Sequence, residues 1–195
     1  MKKLYFFDFD GTLTQHDTMF LFLKFYNSKK FHVQYLKHVP LFILLKLKLA
    51  DAEKVKKSFV GSILKGQSEE RITTKAQQFF DKEYPKLIRT NALDFIQNID
   101  RSATESYLVT ASLDIWVRPF AKQFNMNLVA TEAQFSNGVF TGNFTTRNCN
   151  GEEKVVRIKK AIEGLRYDKS IAFGDTSGDK PMLSWADESY FRFFH

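Results

Sequence analysis

Residues 4–14 read LYFFDFDGTLT. Leu4–Phe7 is an unbroken run of large apolar side chains, which suits a strand buried on both faces. The run stops at Asp8 and Asp10, one residue apart, and Gly11 follows at once. In an extended backbone, positions two apart face the same side. Two neighbouring carboxylates repel unless a cation or a shared proton compensates them, so this strand end poses a chemical question as well as a topological one.

Two other apolar runs end in the same way. YLV before Thr110 is followed by Ser112, and SIAF before Gly174 by Asp175 and Asp179. Helical patterns separate the runs: TNALDFIQNI over 90–99, SLDIWVRPFAKQF from Ser112, and GEEKVVRIKKAIEGL over 151–165. The alternation predicts an α/β fold with a Rossmann-like, doubly wound parallel sheet. In such a sheet the C-terminal strand ends share one edge, where open α/β folds bind ligands. Asp8, Asp10 and Asp175 would meet there, and three converging carboxylates suit a hard divalent cation, above all Mg²⁺. The plainer alternative is that these are caps and loop residues; Asp179 could simply lie early in the last helix.

Between Thr14 and Pro85 no strand pattern occurs. Helical patterns cover roughly 19–27, 33–50, 52–66 and 68–84, with Gly66 and Ser68 marking a stop and a start. This predicts a helical cap over 15–85, inserted after the first strand, in a core made of 1–14 and 86–195. Asn137-Gly138, between alternating apolar residues, predicts a small β-hairpin.

Composition narrows the classes. The single cysteine, Cys149, excludes an internal disulfide and fits a reducing, cytoplasmic compartment. The apolar start meets Asp8 too soon for a signal peptide, and no run approaches the ~18 apolar residues of a membrane span. The net charge of +7 is concentrated: residues 20–66 hold ten lysines against Asp51 and Glu53. No interleaved arginines or binding motif accompany them, so nucleic acid is not expected as a partner. The apolar, lysine-rich stretch HVPLFILLKLKLADAEKVKKSF fits a packed cap core with solvated lysines, peripheral contact with the inner face of a membrane, or a hydrophobic dimer contact.

DFDGTLT, LVTAS, GEEK and GDTSGD, in that order and spread over nearly the whole chain, resemble the motifs of the haloacid dehalogenase superfamily of phosphohydrolases. The helical insertion after the first motif is similar to that of the phosphoserine phosphatase branch. TGNFTTRNCNGEEK resembles the IB sub-branch, which includes a phosphatidylglycerophosphatase. The resemblance implies a phosphatase in which Asp8 forms an aspartyl-phosphate and Asp10 acts as general acid, then base. It implies Mg²⁺ held by Asp8, Asp175 and the Asp10 carbonyl. Phosphate would be bound by Gly11, Thr110, Ser112 and Lys154, with Asp179 orienting Lys154 or a metal-bound water. On the residues alone, Lys154 is favoured over Lys159 and Lys160 because GEEK opens the helix, where a side chain can reach the sheet edge. Ser112 and Asp114 would touch substrate or cap a helix. Asp17 stands where the phosphoserine enzymes have a substrate-binding Glu. Residues 15–70 have no arginine to grip a carboxylate, and Val60 occupies its place. These departures argue against phosphoserine, which stays a further alternative to another small-molecule or lipid phosphomonoester; transfer to an alcohol instead of water would use the same motifs.

Overall fold

The alternation of faces along the inner strands generates the architecture. In the computed structural model, which describes residues 2–195, β1 (Lys3–Phe7) is the middle of a five-stranded parallel sheet. Its neighbours are β2 (Thr104–Leu113) and β6 (Lys169–Gly174); β3 (Asn127–Thr131) and β7 (Glu188–Phe191) form the edges, giving the order β3-β2-β1-β6-β7. Phe7 is in register with Leu108 and with Phe173, so β1 and β6 run out of apolar residues at one level and β2 one residue later, at Val109. The Asp8 N–H extends the ladder to the Phe173 carbonyl at 2.9 Å.

Helices cover both faces. Leu4, Phe6, Val109 and Ala172 pack on α7 (Glu152–Ala161) and α8 (Lys180–Trp185). Phe7, Leu108 and Phe173 face α5 (Thr90–Gln97) and α6 (Asp114–Gln123). The outer strands carry weaker signals than the inner ones. NLVAT opens on exposed Asn127, and β7 is mostly exposed, because an edge strand need not be apolar on both faces.

After β1 the chain forms α1 (Thr18–Tyr26), α2 (Ser28–Lys46), α3 (Ala52–Leu64) and α4 (Glu69–Glu83). Asp17, Asn27, Asp51 and Ser68 cap them in turn, each side chain accepting a first-turn N–H. Two boundaries of α2 differ from the periodicity: it starts five residues before Val33 because Asn27 caps it. It ends at Lys46 because Lys48 takes a positive φ of 59°. The segment leaves and returns through a narrow neck, where Gln15 N–H bonds the Leu87 carbonyl at 3.0 Å and Arg89 N–H bonds that of Leu13 at 2.8 Å.

The hairpin β4 (Ala133–Ser136) and β5 (Val139–Phe144) is not free-standing. Its backbone bonds the turn between α3 and α4, through Gly66 N–H to Phe140 O at 3.0 Å and Phe140 N–H to Gln67 O at 2.9 Å. Phe22 stacks on Trp116 with centroids 5.2 Å apart, and Phe80 meets Phe120 edge-on at 4.9 Å. One continuous core therefore runs from the sheet into α1, α3 and α4. 

Candidate active site

The strand ends deliver four aspartates to one edge of the sheet. Asp8 follows β1, and its Oδ1 accepts from Lys154 Nζ at 2.6 Å. Lys154 lies in the first turn of α7, is 1% exposed, and also donates to Asp179 Oδ1 at 2.6 Å and to the Val109 carbonyl at 3.0 Å. It is Lys154, not Lys159 or Lys160, that reaches inward; the other two are exposed. Burial works against its charge, but Asp8 and Asp179 outweigh it and hold the ammonium above its ordinary pKa. For Asp8, burial together with the Asp179 and Asp10 charges outweighs the pull of Lys154 and pushes the carboxyl up to about 7.

Asp179 is occupied on both oxygens. Oδ2 accepts from Thr176 N–H and Thr176 Oγ1, both at 2.9 Å, and from Asp175 N–H at 3.2 Å. It thus ties the loop after β6 to Lys154. Burial opposes its ionisation, yet Lys154 and the Thr176 donors hold it below the ordinary carboxylate value.

One oxygen each of Asp8, Asp175 and Asp179 lie within 4.8 Å of one another. Thr12 Oγ1 stands between Asp8 Oδ2 (2.8 Å) and Asp175 Oδ1 (3.0 Å). Its single proton can serve only one of them at a time, so one buried carboxylate oxygen lacks a donor. An all-oxygen donor set with this deficit of positive charge fits a hard divalent cation, with Asp8 and Asp175 the carboxylates left open to it. Gly11 makes the arrangement sterically feasible. Its φ is +88°, and a Cβ there would lie 2.5 Å from Asp175 Oδ2.

Asp10 is held separately. Its Oδ1 accepts from Thr18 N–H at 2.6 Å and its Oδ2 from Ser112 Oγ at 2.6 Å, with Thr110 Oγ1 at 3.4 Å. Thr110 and Ser112 lie within β2, not beyond it, where the register to β3 shifts between Thr110 and Leu113. The helix-capping alternative for Ser112 is therefore corrected: Leu113 is the cap position of α6, and the Ser112 hydroxyl is turned to Asp10. Asp114 accepts from Ala133 N–H at 3.0 Å and bonds Arg118, joining α6 to the hairpin away from the site.

Asp8, Asp10, Thr110, Ser112, Lys154 and Asp179 line a cavity of about 300 Å³. Asp17 lines it too, although its carboxylate also caps α1 at 2.9 Å from Met19 N. Desolvation by the pocket wall and the Asp10 charge raise its pKa, against the N–H groups of Phe20 and Met19 and the Lys56 charge. The opposite wall is apolar, formed by Met19, Phe20, Phe42, Leu45, Val55 and Phe59. One cation interrupts it: Lys56, from α3, bonds the Ala111 carbonyl and Asn148 Oδ1 (2.9 Å). Part of its surface opens into the cavity, but the atoms packed around it desolvate the ammonium and lower it to about 8, against the pull of Asp10 and Asp17.

Sequence reasoning missed Thr12, Thr18, Asn148 and the inward turn of Lys56. Thr12 sits inside the DFDGT motif, so position was an available signal. Lys56 and Lys57 lie near the place of the absent arginine, but nothing in their type says which one turns inward.

Residues 5–184 match the model of the haloacid dehalogenase-like hydrolases. Protein CicA of Caulobacter vibrioides is 33% identical over 190 residues, which cover 96% of this chain and 85% of that protein. A Bordetella pertussis protein of unknown function has the same fold, with a TM-score of 0.85 at 20% identity over 97% of this chain and 89% of that one. A substrate-bound phosphoserine phosphatase aligns with a TM-score of 0.67 at 17% identity, over 98% and 86% of the two chains. The match to the family model spans nearly the whole chain, and the chain belongs to the haloacid dehalogenase-like hydrolase family.

Proposed function

We propose that this protein is a Mg²⁺-dependent phosphomonoester hydrolase that works through an aspartyl-phosphate on Asp8. The observation that carries this reading is the separate support of two carboxylates on one cavity. Asp8 is paired with buried Lys154, and Asp10 is held by Ser112 and the Thr18 N–H. Such a pair divides nucleophile from proton carrier.

An Asp8 oxygen attacks phosphorus, the bond from phosphorus to the leaving oxygen breaks, and Asp10 gives that oxygen its proton. Water then attacks the phosphorus of the acyl phosphate. Asp10 takes a proton from the water, and inorganic phosphate leaves as the Asp8 carboxylate is restored. Lys154 balances charge on Asp8 and on the phosphoryl oxygens, Thr110 donates at the same edge, and the Ser112 hydroxyl holds Asp10. Asp8, Asp175 and the Asp10 carbonyl would hold the Mg²⁺, which supplies charge neutralisation for the transferring phosphoryl group. Residues 15–85 serve as the cap that shields the cavity from bulk water.

The substrate is a small phosphomonoester other than phosphoserine. No arginine lines the cavity, Lys56 is a point charge rather than a fork, and the surrounding wall is apolar. That apolar wall favours a second reading, in which the leaving group is the body of a lipid.

The test is release of phosphate from p-nitrophenyl phosphate with Mg²⁺, with chelator, and by Asp8→Asn. The expected result is turnover that needs Mg²⁺ and disappears in the variant while its circular dichroism is unchanged. A folded variant retaining more than about a tenth of the rate overturns the nucleophile assignment.

A further inference from the structure

Helix α2 forms the outer layer of the helical segment. One face packs inward: Phe42 meets Phe59 edge-on at 5.3 Å, His38 lies 5.3 Å from the same ring, and Phe31 lies 5.8 Å from it. The other face is also apolar. Val33, Leu36, Pro40, Ile43 and Leu47 follow one another at intervals of three and four residues, which aligns them in a single stripe. Leu36 is 71% exposed, Leu47 59%, and Leu49 just beyond the helix 72%. A helix apolar on two faces is normally covered on both, and an exposed apolar stripe of this length marks a contact surface.

Its charge indicates what covers it. Lys29, Lys37, Lys46 and Lys48 are exposed on and beside the stripe, and no acidic residue occurs between Asp17 and Asp51. A second copy pairing through this face would bring like charges together with no carboxylate from the segment to offset them. An anionic lipid surface offers both missing partners, an apolar layer for the leucines and phosphate head groups for the lysines. Spanning is not available to the described residues, since no helix is long and apolar enough to cross a membrane.

We infer that the outer face of α2 and the turn 47–50 dock on an anionic bilayer, and that the cavity takes the phosphate head of an amphiphilic phosphomonoester from that surface. Phe42 and Leu45 of the same helix belong to the cavity wall, so the docked element and the substrate wall are one piece. The docking half stands on the α2 surface alone; the substrate half rests on the proposed phosphatase chemistry.

The experiment is sedimentation of the full chain with phosphatidylcholine vesicles, with and without phosphatidylglycerol, alongside hydrolysis of p-nitrophenyl phosphate and of phosphatidic acid in the same vesicles. The expected result is salt-sensitive binding to the anionic vesicles only. The triple variant Leu36→Ser, Ile43→Ser, Leu47→Ser should bind at least about tenfold more weakly. Changing Lys37, Lys46 and Lys48 to Gln should cost about fivefold per lysine. Both variants should keep wild-type turnover of p-nitrophenyl phosphate and lose turnover of phosphatidic acid in vesicles. Equal binding to neutral vesicles, no binding, or a dimer in solution that the serine variant dissociates overturns the docking. Binding with hydrolysis of p-nitrophenyl phosphate but not phosphatidic acid overturns the substrate half. Binding with hydrolysis of neither overturns the phosphatase reading and leaves the docking in place.

Discussion

Asp8 and Asp10 differ by two positions but sit in different electrostatic settings. Asp8 is buried beside a lysine and two other acids, whereas Asp10 is steadied by neutral donors. A folded-state value of about 7 against an ordinary 3.8 means that folded Asp8 keeps a proton the unfolded chain releases. Its contribution to stability is thus present below about pH 4 and lost as pH rises through about 7. Asn in its place has no such proton to lose. Metal-free Asp8→Asn should therefore unfold at a higher temperature than wild type near about pH 8, with the gap closing towards about pH 4. Added Mg²⁺ should raise only the wild type. Scanning calorimetry in chelator and in Mg²⁺ checks this; a variant less stable at every pH contradicts it. Ser112 makes a second prediction, because its hydroxyl positions Asp10. Ser112→Ala should lower kcat about tenfold with little change in KM, and Ser112→Thr should restore part of it. A change confined to KM would assign Ser112 to substrate binding instead. At this scale the carboxylates and Lys154 were legible, because their types and spacing state their chemistry. Thr12 and Lys56 were not, because hydroxyls and lysines are common and only the folded chain shows which ones turn inward.

Among the elements, the loop from β1 to the helical segment carries the most constraint. Gly11 needs both its φ of +88° and its missing Cβ, since Asp175 Oδ2 would lie 2.5 Å from that atom. Gly11→Ala should cost about 1–3 kcal/mol of stability and weaken Mg²⁺ binding by displacing Asp175. Chemical denaturation and metal titration of one preparation test the two effects, and a variant with unchanged Mg²⁺ affinity contradicts the steric argument. Caps and periodicity made α1, α3 and α4 readable. The start of α2 was obscured because SKKFH has no apolar rhythm, and Asn27 alone sets the boundary. The edge strands were harder than the inner ones for a related reason: partial exposure removes the apolar run that betrays a buried strand.

Taken whole, the molecule joins its helical segment to the sheet in two ways. The aromatic core through Phe22, Trp116, Phe79 and Phe120 is apolar and continuous. Near the cavity the joint is polar: Glu53 Oε2 accepts from Asn148 N–H at 2.9 Å, and Lys56 bonds Asn148 Oδ1 at 2.9 Å. Asn148→Ala removes the second bond and should speed amide hydrogen exchange in the first turns of α3 while leaving β1 and β2 protected. Equal acceleration in the sheet would mean that α3 and the core open as one unit. The fold class was readable from three strand ends, since parallel order follows from alternating elements. The packing of the hairpin on the α3–α4 turn was not, because pairing over seventy residues leaves no local trace in either segment.

The most direct test of the central claim is to quench turnover in acid, reduce with borohydride, and find the modified residue by mass spectrometry. An acyl phosphate on Asp8 is predicted to appear as homoserine at position 8, only when Mg²⁺ and substrate are both present. Steady phosphate release with Asp8 unmodified, or modification at Asp10 instead, would contradict it.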